Sequence, residues 1–233
     1  MTATPLVLLP GLLCDSSIWA AQEAALARNC SVYPVTHFYG HATLAGMAHA
    51  VLQTAPPRFA LAGHSMGGRV ALQIMAQAPQ RVERLALFDT GVVPAAPDEP
   101  ARRQELIDLA RENGMAALAA RWLPMIVHAK RLCDADFIAA LTQMICRATP
   151  EVYADQVNAL LTRPDFRPLL PKIACPTLVA CGRQDVWSPP AQHEEIAAGI
   201  AGARLAIVED SGHMATVEAP DPVTRLLRDW LAL

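Results

Sequence analysis

Residues Gly63-His64-Ser65-Met66-Gly67 set a serine between two glycines in the spacing G-x-S-x-G. A serine hydroxyl attacks poorly near neutral pH. It needs a base within hydrogen-bond reach, and the base needs an acceptor that orients it. The apolar run 59–62 before the motif predicts a strand, and 66–78 predicts a helix stopped by Pro79. A serine in the sharp turn between them projects its Oγ from the strand end, at a backbone cost on the order of 1–3 kcal/mol. Gly63 and Gly67 let helix and strand approach closely. The first N–H groups of the helix face any negative charge that develops at the serine.

Of seven histidines, His213 in Asp210-Ser211-Gly212-His213-Met214 is placed best, because it follows the strand-like run 204–208. A loop at a strand's carboxyl end reaches over the sheet. His64 adjoins Ser65, but its side chain is expected to point away from that of the serine. His37, His41, His49, His128 and His193 read as surface or packing residues. Asp185 in Gly182-Arg183-Gln184-Asp185 follows the run 177–181 and is the favoured acid, with Asp89, after the run 84–88, as its competitor. Asp210 reads as a turn residue. Two backbone donors are expected to face the oxyanion: the N–H of Met66 and that of Leu12, in the loop Pro10-Gly11-Leu12-Leu13.

These residues need a scaffold that brings distant loops together. Strand-like runs at 6–9, 31–35, 59–62 and 84–88 alternate with helical periods at 16–28, 43–54 and 66–78. That rhythm predicts a parallel sheet covered on both faces. Residues 91–100 read as a Pro- and Ala-rich connector, followed by four helices at 101–113, 115–127, 134–147 and 150–161. The strand–helix rhythm then resumes at 177–181, 189–200, 204–208 and 222–231. The expected organisation is an α/β core of residues 1–91 and 168–233, with a helical cap, 92–167, inserted after the fourth strand. Loops at the carboxyl ends of parallel strands usually build the site, which places the cap over it.

Composition narrows the functions available. Of 233 residues, 53% are apolar and 18% charged, with a formal net charge of −3. No Lys/Arg cluster offers a track for nucleic acid, and no apolar run is long enough to span a membrane. Six cysteines lack the spacing of a zinc site or a disulfide framework, which favours a reducing, cytoplasmic setting. Met1–Pro10 has neither the basic start nor the cleavage site of a signal peptide. No metal or cofactor motif appears.

Taken together, the motifs resemble the α/β-hydrolase superfamily. Leu8-Leu9-Pro10-Gly11 is similar to its oxyanion loop, Gly63–Gly67 to its nucleophile turn, Gly182–Asp185 to its acid loop and Gly212-His213 to its histidine loop. The chain order Ser65, Asp185, His213 is that of the superfamily. Many relatives carry two further strands at the start and His-Gly in the oxyanion loop. This chain has Pro10-Gly11, and a minimal sheet of six parallel strands is implied.

The resemblance implies a serine esterase acting on a small ester with a short or medium acyl group. The pocket is expected to be apolar, with Leu12, Trp19, Met66, Trp122, Met125 and Trp187 as wall candidates. Arg69, one turn after Ser65, reads first as a solvated helix residue. Some lyases of the superfamily resemble its Ser-x-x-x-Arg pattern. The alternatives are therefore a carrier-protein methyl ester, a C–C bond or a lyase elimination, with Arg69 and Arg121 or Arg147 holding an acidic substrate. A non-catalytic small-ligand binder is the third possibility.

Overall fold

Six strands form one wholly parallel sheet, as the strand–helix rhythm predicts. The computed structural model describes residues 4–232; residues 1–3 and 233, the outer ends of the expected core segments, lie outside the described residues. The strands are β1 (Leu6–Leu9), β2 (Val32–Pro34), β3 (Phe59–His64), β4 (Val82–Phe88), β5 (Thr177–Gly182) and β6 (Arg204–Val208), in the order β2-β1-β3-β4-β5-β6. Every residue of β1, β3 and β5 is buried. Strands covered on both faces select continuous apolar sequence instead of alternation.

The core helices are α1 (Ala20–Leu26), α2 (Leu44–Thr54) and α3 (Met66–Gln77). Between β4 and β5 come α4 (Glu99–Ile126), α5 (Ala135–Cys146) and α6 (Pro150–Leu161); α7 (Pro190–Gly199), α8 (Ala215–Glu218) and α9 (Pro220–Leu231) complete the chain. In the core, α1 packs on α9 and α2 on α3; in the insertion, α4 packs on both α5 and α6.

Several boundaries differ from the sequence reading, three of them for a clear local reason. The helix expected at 16–28 begins as a 3-10 turn, Ser16–Trp19, because the Asp15 carboxylate accepts the Ser17 N–H and tightens the entry. The helices expected at 101–113 and 115–127 run on as α4, broken only at Gly114 (φ 83°, ψ 169°). A side chain at Gly114 would meet open space, so glycine is required there for its backbone freedom alone. The last helix starts at Pro220 in place of 222, with proline at the first helical position where no N–H is needed.

Candidate active site

Ser65 occupies the turn between β3 and α3 with φ 53° and ψ −115°, a conformation that side chains rarely adopt. Its surroundings hold it there. The Ser65 N–H donates to the Phe88 carbonyl at 2.9 Å, and its own carbonyl accepts from Gly68 N–H at 3.0 Å and from the Thr90 hydroxyl at 2.7 Å. The turn also needs Gly67, since a Cβ there would lie 2.5 Å from the Leu9 carbonyl oxygen.

The loops after β5 and β6 bring their side chains to the same rim. His213 Nδ1–H donates to Asp185 Oδ2 at 2.8 Å, leaving Nε2 to accept the Ser65 hydroxyl, also at 2.8 Å. Asp185 Oδ1 accepts the N–H groups of Trp187 and Ser188, each at 2.8 Å. Burial pushes the Asp185 carboxyl up, but the charge and hydrogen bond of His213 and the two N–H donors outweigh it and hold the group below the usual carboxylate range.

Asp89, the competing acid, is buried at the end of β4 beside the same rim. Its Oδ1 accepts the Gly182 N–H at 2.9 Å, while Oδ2 lies 3.8 Å from His64 Nε2 and has no hydrogen bond. Burial and the nearby Asp185 charge raise its carboxyl well above the ordinary range. His64 turns away from Ser65 Oγ and donates from Nε2–H to the His213 carbonyl at 2.7 Å. Burial, then the His213 charge, lowers its pKa to about 3, so it stays neutral behind the histidine loop. Asp210 has φ 54° and its carboxylate pairs with Lys130 at 2.6 Å.

Sequence reasoning missed Glu218. This buried carboxylate accepts the N–H groups of Gly212 (3.1 Å), Met214 (3.0 Å) and His128 (2.7 Å). It thereby clamps the residues on both sides of His213 to the end of α4. The Ile126 carbonyl completes the clamp by accepting the His213 N–H at 2.8 Å. No motif marks such a residue, because its partners are backbone groups brought together by folding.

Of the two expected oxyanion donors, Met66 directly follows the serine, and Leu12 belongs to a loop that touches it. Met66 opens α3, where an N–H has no acceptor within the helix. The loop after β1 rests against the nucleophile: a Cβ at Gly11 would sit 3.3 Å from Ser65 Cβ.

A cavity of about 470 Å³ opens at Ser65 between the loops that follow β4 and β5 and helices α4 and α6. Met66, Arg69, Met125 and Trp187 line it, but Trp19 and Trp122 do not. Trp19 is wholly buried, with Nε1–H donating to the Leu9 carbonyl and its ring edge-on to Phe88, because the 3-10 turn tucks it under β1. Trp122 is buried within α4. Leu12 is buried too and contributes no wall.

The expected apolar character is corrected as well: Arg69, Arg102, Arg103, Arg121 and Arg163 line the cavity with Glu99 and Glu105. Glu99 is shared by Arg163 (2.6 Å) and Arg103 (3.1 Å), leaving excess positive charge. Arg103 also stacks over Trp187 at 5.3 Å. Arg69 donates to the Val93 carbonyl at 3.1 Å; burial and the charges of Arg163 and Arg103 lower its pKa to about 9, which leaves it cationic at neutral pH. Arg147 faces elsewhere and pairs with Asp15 at 2.7 Å.

All six cysteines are free thiols. Among the described residues no helix is long and apolar enough to cross a membrane, and none of their His, Cys, Asp and Glu side chains form a metal-binding group.

The model of the alpha/beta hydrolase family matches residues 6–226. The chain is 32% identical over 177 residues to a 2-hydroxy-6-oxononadienedioate/2-hydroxy-6-oxononatrienedioate hydrolase of Klebsiella pneumoniae, covering 74% of this chain and 62% of that one. It thus spans under two thirds of the length of the curated relatives it matches. Solved structures similar over nearly the whole chain include two at 30% identity. One is a thermophilic esterase from Thermogutta terrifontis, described with malate bound, at TM-score 0.89 and 30% identity, covering 99% of this chain and 90% of that one. The other is the enol-lactonase from Burkholderia xenovorans, at TM-score 0.86 and 30% identity, covering 100% and 93%.

Proposed function

This chain belongs to the alpha/beta hydrolase family, and we propose that within it the protein is a serine hydrolase of small carboxylic esters, working through an acyl-enzyme. The observation that carries the reading is the unbroken relay Asp185–His213–Ser65, both links 2.8 Å long. Ser65 Oγ forms a bond to the substrate carbonyl carbon as its proton passes to His213 Nε2. Asp185, held ionised, stabilises the imidazolium and fixes its orientation. The N–H groups of Met66 and Leu12 face the oxyanion. Collapse breaks the C–O bond, and His213 returns the proton to the departing alcohol. A water, deprotonated by His213, then attacks the acyl carbon; the bond from that carbon to Ser65 Oγ breaks, and His213 returns the proton to Oγ as the acid departs.

Labelling by a fluorophosphonate and turnover of a p-nitrophenyl ester series test this reading together. Covalent modification at Ser65 with measurable turnover is the expected outcome. A folded protein that neither labels nor turns over defeats it and favours a non-catalytic binder.

The arginines favour a second reading, in which the substrate carries a carboxylate and the scissile bond is an ester, an enol lactone or a C–C bond. Similar proteins described as an enol-lactonase and as a hydrolase of a dioate support it. Replacement of Arg69 by Met is expected to lower the kcat/KM ratio for p-nitrophenyl hemiglutarate over p-nitrophenyl valerate by roughly tenfold, the scale of one charge-assisted hydrogen bond. An unchanged ratio removes Arg69 from that role.

A further inference from the structure

The loop that follows β1 is fastened to the inserted helices. Leu13 adopts φ 57°, a left-handed conformation unfavourable for a branched residue. Its N–H donates to Gln156 Oε1 at 2.8 Å across 143 residues of sequence, in a buried contact. Gln156 lies on α6 and is fully buried. Its Nε2 has no partner among the described residues, so the side chain is kept in place for what its oxygen accepts. Within the loop, the Cys14 N–H closes onto the Gly11 carbonyl at 3.2 Å, which leaves Leu12 at the apex of a short turn. Two further ties join the insertion to neighbouring core loops: Arg147 to Asp15 (2.7 Å) and the Asn158 amide to the Ala42 carbonyl (2.9 Å).

We propose that Gln156 is a positioning residue for the oxyanion loop: by accepting the Leu13 N–H it holds the loop in its left-handed turn and aims the preceding Leu12 N–H at the oxyanion. The insertion then does more than roof the cavity. One of its helices sets the geometry of a donor that acts only when negative charge has developed on the substrate oxygen. Without the acceptor, Leu13 has a buried N–H with no partner, and its strained φ is left to the 3.2 Å bond between the Cys14 N–H and the Gly11 carbonyl. The turn relaxes and the Leu12 donor swings out of line. A donor displaced in this way weakens binding of the transition state more than binding of the substrate.

This inference rests on the hydrolase reading above, and the experiment separates the two. Gln156→Met removes the acceptor at similar side-chain length, and Gln156→Leu removes it with a shorter, branched side chain. Gln156→Glu keeps it. Each variant is titrated with a fluorophosphonate for competent Ser65, then assayed on p-nitrophenyl butyrate and for inhibition by an alkyl trifluoromethyl ketone, whose adduct carries an oxyanion. The expected result for Leu or Met is a fall in kcat of roughly 10- to 100-fold with KM within about threefold. Trifluoromethyl ketone affinity falls in parallel, and the Glu variant recovers at least part of both. Full kcat in a folded Leu or Met variant overturns the inference. So does a loss of rate with no loss of ketone affinity. If the wild-type chain neither labels nor turns over, the hydrolase reading itself has failed.

Discussion

The ends of β4 and β5 each present a buried aspartate to the same rim, yet their surroundings push the two carboxyls in opposite directions, Asp89 up and Asp185 down. Asp185 receives two backbone N–H groups and the His213 imidazole, which together outweigh burial. Asp89 receives the Gly182 N–H, leaves Oδ2 unpaired and feels the Asp185 charge, so its neutral form is favoured. The difference is one of donor count and order of charge. Two carboxylates cannot share a dry rim unless one gives up its charge, and the one with more donors keeps it. The acid that orients a base is therefore chosen by the N–H groups around it as much as by its distance from the histidine.

Asparagine at each position is the sharpest way to break this comparison. Asp185→Asn keeps the shape but removes the charge that stabilises the imidazolium and favours the wrong tautomer of His213. Its kcat on a p-nitrophenyl ester is expected to fall roughly 10⁴-fold, against less than about tenfold for Asp89→Asn. Equal losses, measured on folded protein, would mean that both carboxylates serve the base.

Glu218 extends the comparison to a carboxylate that holds backbone instead of imidazole. Glu218→Leu leaves three N–H groups without their acceptor, two of them flanking His213. The expected loss is roughly 2–5 kcal/mol of stability, read as a lower urea midpoint. A midpoint unchanged from the wild type would show that the loop does not depend on the clamp.

The smallest expected effect is a pH dependence of stability. The folded pKa of Asp89 lies above its unfolded value, so its contribution is fully present below the unfolded pKa and is lost as pH rises through the folded pKa. Asp185 has the opposite sign: its contribution is present above the unfolded pKa and is lost as pH falls through the folded one. Asp89→Asn removes the alkaline penalty. Its melting temperature relative to wild type is therefore expected to climb between pH 5 and pH 9, by roughly 2–4 °C for each kcal/mol recovered. Parallel curves would mean that Asp89 is ionised at both ends of the range.

The fold was largely legible from the chain. Continuous apolar runs such as Leu6–Leu9 and Phe59–His64 are buried on both faces, and the helical periods between them leave only a parallel sheet. The candidate site was legible where it depends on local backbone: the Gly63–Gly67 turn and the loops carrying Asp185 and His213 bear their own glycines and stand at strand ends. It was not legible where it depends on partners far along the chain. The aromatic wall expected from Trp19 and Trp122 was wrong, because each ring is buried by neighbours that periodicity does not specify.

By itself, then, the sequence determined which elements form and which side chains emerge at the carboxyl edge, since periodicity and turn chemistry are local. Only the tertiary structure decided which way each aspartate's carboxyl is shifted, that Glu218 and Gln156 accept N–H groups of the loops, and that arginines line the cavity. Those outcomes follow from burial and from hydrogen bonds between residues remote in the chain, and such pairings exist only once the core has closed.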